Sequence, residues 1–463
     1  MRRSGLLRVC LALGLLLLPA RAWAHARLTR SDPAAGSIVA ASPQLIRLWY
    51  SERPEVSLTF VTLTGATGKK FILGPVHAAT ANGLELSIQV MDTLPAGKYT
   101  LAWRTVAADG HPSQGTFSFT VSGATLGAQQ EPQADNAVPP ETVAAALATA
   151  SSTPAQTSDE GNSASVSNSL ARAFSFIGLL GLIGAVAFRT IVLPGTRGIS
   201  ADIVTNMQAR AALVGMWASV LVIIAACDRI FLESRMIAAT IPAGQSMSTS
   251  GMLSHTTWGF ALLSQAVLAV IALVAFAFGT RRIGGAWLIA GLCAIVLAVT
   301  PALAGHAAAT AHLTSFVVAS DFLHVLGAAS WLGTLLYVIV IGLPAVRPLQ
   351  DGERWQAVAS LVNTFSPLAL LSAAIVVASG VIASWVHLNH VTDLWTTSYG
   401  KVLLLKLVLV AATLLVGAYN FRRVQPHLVT EGGSARLRRS ATFELGLAFI
   451  VLLVTGFLTG IAP

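Results

Sequence analysis

The segment Ala108-Asp109-Gly110-His111-Pro112 sets a carboxylate and an imidazole two residues apart. On an extended stretch residues i and i+2 project to one side, so Asp109 and His111 can approach one ion together. A second donor group lies near the start of the chain. Arg2, Arg3 and Arg8 surround the start of an apolar run, Leu11 to Leu18, and Ala22-Trp23-Ala24 has the small-x-small form of a signal-peptidase site. Cleavage after Ala24 leaves His25 as the mature N-terminus. Its α-amine, with a pKa of about 7.7–8.0, and its imidazole can then chelate one metal together. His25, Asp109 and His111 offer three nitrogens and one oxygen, a tetragonal set that favours Cu(II). Alone, Asp-Gly-His-Pro is an ordinary turn; the N-terminal histidine is what gives it a metal-binding reading.

The C-terminal part of the chain holds seven further histidines. Given the topology argued below, His255, His306, His312, His324, His387 and His390 fall on the outer side, and His427 faces in. Asp321 and His324 are i, i+3 and share a helix face. His324 lies about ten residues, roughly 15 Å, into its apolar segment, near mid-bilayer. An ionisable pair there must face the bundle interior. The carboxylate is expected to hold one imidazole nitrogen and leave the other for a metal; a purely structural hydrogen-bonded pair is the alternative. His306 and His312 flank this helix as entry ligands. Met247 and Met252 beside His255, and Cys227 and Cys293, are either soft ligands for Cu(I) or ordinary packing. Lys401 and Lys406 are expected to snorkel outward, and Glu444 to pair with an arginine.

Elements must position these groups, and composition says which kind. Of 463 residues, 54% are hydrophobic and only 11% charged, with a mean hydropathy of +0.70. A wholly soluble globule could not cover itself with so few charges. A disordered chain and a coiled coil are excluded too, leaving a polytopic membrane protein with a soluble part. The net charge of +9 is unevenly spread. Residues 25–169 carry 8 Lys/Arg against 11 Asp/Glu, and residues 170–463 carry 17 against 9. Basic residues confined to a membrane segment report topology, not nucleic acid. No cysteine lies in residues 25–169, so that part has neither disulfide nor thiolate site.

Alternating segments at Leu45–Tyr50, Leu58–Leu63, Leu84–Val90, Tyr99–Val106 and Thr116–Val121, separated by turn formers, predict a small all-β sandwich or barrel over 25–122. Residues 123–169 have five acids, no Lys or Arg, and much Ala, Ser, Thr, Gln and Pro. They read as a flexible linker with a mean reach of about 35–40 Å. Eight long apolar segments follow, at about 170–193, 210–232, 255–279, 284–304, 314–343, 358–386, 400–421 and 440–460. A secreted N-terminus puts the first crossing outside to inside. Arg189, Arg197, Arg210, Arg281, Arg282, Arg347, Arg354, Arg422, Arg423, Arg436, Arg438 and Arg439 then lie inside, and Arg172, Arg229, Arg235 and Lys401 outside. This agrees with the positive-inside rule and leaves both termini outside.

His25-Ala-Arg-Leu28, Ser31-Asp-Pro-Ala-Ala-Gly36, Gly97-Lys-Tyr-Thr-Leu-Ala-Trp-Arg104, Ala107-Ala-Asp-Gly-His-Pro112 and Phe117-Ser-Phe-Thr-Val121 resemble the periplasmic copper-binding CopC family. The resemblance implies a Greek-key, immunoglobulin-like β-sandwich that binds Cu(II) through its N-terminal histidine. It names His25, Asp109 and His111 as ligands, with Glu52 near the metal. Some members carry a methionine-rich loop for Cu(I); here the domain has only Met91, and His77 has no methionine neighbours, so it is expected to take Cu(II) only. Gly305-His306-Ala307, Asp321-Phe-Leu-His324, Trp331-Leu-Gly333, Phe365-Ser-Pro367, Tyr399-Gly-Lys401, Lys406 and Asn420 resemble the CopD inner-membrane copper family.

The expected organisation is a signal peptide at 1–24, the β-sandwich at 25–122, the linker at 123–169 and an all-α bundle of eight transmembrane helices at 170–463. The resemblance implies a non-enzymatic copper homeostasis or resistance protein of the bacterial inner membrane. It would bind Cu(II) in the periplasm and pass copper, as Cu(I) or Cu(II), inward through the bundle, with His306, His312, Asp321 and His324 as membrane-region ligands. Its partners would be copper ions, the bilayer and other periplasmic copper carriers, not nucleic acid. A haem-binding redox protein using His306 and His324, and a copper oxygenase built on the N-terminal histidine, are the alternatives.

Overall fold

The computed structural model describes residues 26–80, 82–108, 110, 112–123, 159–238, 249–283, 285–309, 314–388, 390–429 and 432–461, with side chains throughout except at 159–165, 249, 306 and 309. The expected signal segment, His25, Asp109, His111, Met247 and His312 lie outside the described residues, as does most of the expected linker.

Alternation in Leu45–Tyr50 (β3) turns Ile46, Leu48 and Tyr50 inward and Arg47 outward. Glu85–Val90 (β7) pairs antiparallel with it and buries Leu86 and Ile88 on the same side. Leu28–Asp32 (β1) and Leu73–Ala78 (β6) complete a sheet of order β1-β3-β7-β6. The second sheet runs β2-β9-β8-β4-β5. It comprises Ile38–Val39 (β2), Phe60–Gly65 (β4), Lys70–Phe71 (β5), Gly97–Val106 (β8) and Pro112–Val121 (β9), and β2 runs parallel to β9. Leu63, Leu101 and Phe119 of this sheet meet Ile46, Leu48, Leu86 and Ile88 of the first in one core. Tyr99 donates its hydroxyl to the Pro95 carbonyl at 2.6 Å, a tyrosine corner at the start of β8.

The expected strands are present, and four more were not legible. β2 and β5 have two residues each. β1 has one apolar residue, Leu28, and β6 contains Gly74-Pro75 with a register shift between Leu73 and Val76. The expected Leu58–Leu63 strand begins at Phe60 because Val56–Leu58 forms a 3-10 turn.

Eight helices are long and apolar enough to cross a membrane: α1 (Val166–Gly195), α2 (Ala201–Ala238), α3 (Thr257–Thr280), α4 (Ala286–Leu303), α5 (Thr314–Ala345), α6 (Asp351–His387), α7 (Ser398–His427) and α8 (Gly433–Leu458). The helix of α1 starts as early as Asp159, inside the stretch expected to be linker. Asp159 and Glu160 sit in its first turn, where negative charge favours helix. α1 packs against α2, α5 and α8. Backbones of α1 and α5 touch: a Cβ on Gly333 would fall 2.2 Å from the Leu180 carbonyl oxygen, and one on Gly184 2.5 Å from the Gly333 carbonyl carbon. Glycine on both faces allows this approach. Tighter winding gives way to π turns at Ala329–Gly333 in α5 and Asn420–Val424 in α7. The turns α1–α2, α3–α4, α5–α6 and α7–α8 share one end of the bundle, and the β-sandwich sits on the other.

Candidate metal site and its seat on the membrane helices

The described neighbours of the expected ligands converge. Ala26, fully buried, offers its carbonyl to the Ser113 hydroxyl at 3.0 Å. Arg27 donates its N–H to Ser51 Oγ at 3.0 Å, and Ser51 returns its own N–H to the Arg27 carbonyl at 2.9 Å. The residue after His25 is thus tied to the segment two residues beyond His111, and the next residue to the one before Glu52. On the β8–β9 hairpin, Ala108 donates to the Arg53 carbonyl at 2.9 Å, and Ala107 bridges Pro54. Three chain segments therefore meet at one corner of the sandwich: the N-terminus, the Ser51–Pro54 turn and the hairpin turn. Glu52 is half-buried on the second of these. Among the described residues no three His, Cys, Asp or Glu side chains are close enough to hold one ion.

Gly110 lies between Asp109 and His111. Its φ of +92° is a left-handed conformation that a side chain disfavours. A Cβ there would also stand 3.5 Å from Glu233 Oε2 of α2 and 3.5 Å from Trp258 Cγ of α3. The hairpin turn therefore rests directly on the ends of two membrane helices. Around it, Leu58 and Val106 of the sandwich share an apolar cluster with Ile237, Met252, Trp258, Ala261, Leu262 and Ala304. Burying one such side chain is worth about 1.5–3 kcal/mol. Met252 is thus a packing residue. Glu55 accepts the Thr257 N–H at 2.9 Å, placing a carboxylate on the N-terminus of α3, where free N–H groups and the dipole favour it. Burial pushes the Glu55 carboxyl above its usual range, against the lowering effects of the Thr257 bonds and Arg53. Ser57 adds a hydroxyl bond to the His255 carbonyl at 3.3 Å.

Beneath the turn, Glu233 is 1% exposed. Its Oε1 stands 3.1 Å from Arg229 and 3.6 Å from Arg172, and Arg172 also reaches the Thr459 carbonyl. Oε2, the oxygen facing Gly110, has no hydrogen-bond partner, nor has the Trp258 indole N–H. Sequence reasoning missed Glu233; its position one turn after Arg229 on a membrane-spanning helix was the available signal.

Within the bundle, His324 Nδ1 is 2.9 Å from Ser379 Oγ of α6, and Ser379 donates to the Ile375 carbonyl at 2.6 Å. The expected Asp321 carboxylate is not the partner of that nitrogen. Asp321 acts electrostatically on Lys406 and Tyr399 of α7, and Lys406 on His324. The residue three positions away shares a helix face, but facing helices decide which group reaches the ring. Lys406, half-buried, lines a cavity of about 90 Å³ together with His324, Trp331 and Thr413. His306 begins a four-residue helix, His306–Ala309, beside α5. His387 Nδ1 lies 2.8 Å from the Ala383 carbonyl, and His390 and Cys227 are exposed. Glu444 accepts from Asn420 Nδ2 at 2.8 Å, where an arginine was expected.

Comparison with known proteins places these parts. Residues 28–122 match the CopC domain, 163–316 the copper resistance protein D-like N-terminal domain, and 359–458 copper resistance protein D. Copper transport protein CutJ of Bacillus subtilis is 24% identical over 454 residues, covering 96% of this chain and 75% of that protein. Copper resistance protein C of Escherichia coli is 40% identical over 107 residues, 22% of this chain and 83% of its own length. The crystal structure of PcoC, a methionine-rich copper resistance protein from Escherichia coli, matches at 36% identity over 21% of this chain and all of that one, with a TM-score of 0.20. The N-terminal sandwich is a CopC domain, the membrane helices carry both CopD-type domains, and the chain belongs to the CopC–CopD fusion family of copper resistance and transport proteins.

Proposed function

We propose that this protein captures Cu(II) on the outer side of a bacterial inner membrane and hands copper to its membrane bundle for passage inward, without catalysing a reaction. The observation that carries this reading is the seat of Gly110: the turn between two proposed ligands lies against Glu233 and Trp258 at the mouth of the helices. Cleavage after Ala24 frees the His25 amine. His25, Asp109 and His111 then hold the ion, with Glu52 beside them. The anchoring of Ala26 to Ser113 supports this grouping, because it brings the chain end to the hairpin. His306, His312, Asp321 and His324 receive copper below.

The arginine distribution supports the outer placement of the sandwich. The α1–α2, α3–α4, α5–α6 and α7–α8 turns together with the helix ends beside them, at the far end of the bundle, carry most of the basic residues of the membrane region. Copper ions, the bilayer and other periplasmic copper carriers are the proposed partners, with domain limits at 25–122 and 170–463 and a linker between them.

The test is copper accumulation in cells that depend on this protein, comparing wild type with His25→Ala at equal protein level. Accumulation is expected to fall. Unchanged accumulation would remove the N-terminal site from the pathway, and a rise would reverse the direction. Cu(II) titration of the full chain with one residue added before His25 checks the amine: affinity should drop, and an unaltered titration would exclude that ligand.

A further inference from the structure

Glu444 of α8 is 2% exposed in the span of an apolar helix. An ionisable group so placed is costly and marks a site of use. Asn420 Nδ2 donates to Glu444 Oε2 at 2.8 Å, and the Trp331 ring lies beside the carboxylate, both of them against Gly417. Both residues lie on π turns, Trp331 within Ala329–Gly333 and Asn420 at the start of Asn420–Val424. Such turns re-aim side chains and recur at functional positions. Two separate helices thus depart from regular winding to reach one carboxylate.

That carboxylate borders a cavity of about 420 Å³ among α5, α6, α7 and α8. Trp331 lines this cavity and also the smaller one below His324 and Lys406, so its indole stands between the two. The oxygens of the larger cavity are unusual. Asn420 Oδ1 and Gln425 Oε1 are buried without a hydrogen-bond partner. An oxygen-only set does not suit copper, which favours imidazole and sulfur. It does suit a proton. Ionised Glu444 accepts the Asn420 N–H, as seen. Protonated Glu444 has an O–H to donate, and Asn420 can accept it through Oδ1 by turning its amide over. The pair can satisfy either protonation state.

We propose that Glu444 is a proton-exchange site of the membrane region, with Asn420 as its two-state partner and Trp331 as the partition between the cavities. The carboxylate takes one proton from water at one side of the bundle and releases one proton to the other; no electron moves. The change of charge turns the Asn420 amide over beside Trp331, and that rearrangement lets the indole move. The other charged group lining this cavity among the described residues is Arg422 of α7, α6 contributes no titratable side chain to it, and His324 and Lys406 line the smaller cavity that Trp331 also borders. Coupling of this proton to copper movement rests on the transport reading above.

The experiment separates the two. Infrared difference spectra of the purified full chain in lipid nanodiscs, taken across the carboxyl titration range without copper, should show a protonated-carboxyl band. The band should vanish in Glu444→Gln and shift in Asn420→Ala. A band that persists in Glu444→Gln, or a wild type with none, overturns the proposal. In proteoliposomes an imposed pH gradient should accelerate copper uptake by wild type, and Glu444→Gln should lose that response while keeping Cu(II) binding by the N-terminal domain. A response retained in Glu444→Gln also overturns it. If wild type moves no copper while the band behaves as expected, the transport reading fails and the proton site stands.

Discussion

The corner of the β-sandwich and the polar interior of the bundle organise their candidate ligands by different means. In the sandwich, main-chain hydrogen bonds do the work. Ala26, Arg27, Arg53 and Ala108 tie three segments together, so the segments that flank the proposed ligands are set by main-chain pairing. In the bundle, most main-chain groups are occupied within their own helices. Position there depends on which side chain a facing helix presents: Ser379 to His324, Asn420 to Glu444, Glu233 to Gly110. A site of the first kind is fixed before docking; one of the second kind exists only once helices have packed.

The sharpest way to break this contrast is at the place where the regions meet. Gly110→Val is expected to strain a φ of +92° and to push a branched side chain against Trp258 and Glu233. Strain of about 1–2 kcal/mol and overpacking of about 1–3 kcal/mol act together. Gly36→Val is the control, because Gly36 has a φ of +78° but open space around it. Energy transfer between a label on the sandwich and one on the bundle should fall sharply in the first and stay near wild type in the second. Equal loss in both would mean that backbone strain, not the seat on the helices, governs docking.

Two serines sharpen the comparison further. Ser113→Ala removes the partner of the buried Ala26 carbonyl, at a cost of about 1–3 kcal/mol. Expressed as a loosened N-terminus, this lowers Cu(II) affinity by about 5- to 150-fold in titration of the full chain. Ser379→Ala removes the His324 Nδ1 partner, but inter-helix hydrogen bonds in membranes average only about 0.6 kcal/mol. Its thermal midpoint in detergent should therefore shift less than that of Ser113→Ala. A larger shift for Ser379→Ala would show the His324 pair to be the more rigid of the two sites.

The same physics explains what was legible in the sequence. The long strands, the eight spans and the bend at Gly110 follow from periodicity and turn chemistry, which are local. The two-residue strands β2 and β5 exist only through their neighbours, as does β6 with its Gly74-Pro75 interruption. Asp321 and His324 could be placed on one face of a helix, but the rotation that gives the ring to Ser379 could not. Glu233 and Trp258 were beyond reach for a further reason: their role depends on a contact between parts of the chain more than a hundred residues apart. Glu444 was visible as a charge near a helix end, yet its partners required two π turns that no pattern announces.

The smallest expected effect lies at the seat itself and concerns pH. Burial against Thr257 raises the Glu55 carboxyl above its usual range, outweighing the lowering by the Thr257 bonds and Arg53. The docked state therefore binds this proton more tightly than the undocked one. Its contribution to docking is complete below the ordinary carboxylate pKa and is lost as pH rises through the raised value. The energy-transfer signal should accordingly weaken over the pH interval just above the usual carboxylate range. Glu55→Gln keeps an oxygen for the Thr257 N–H and removes the titration, so its signal should be flat there. An equally sloped signal in Glu55→Gln would assign the pH response to another group.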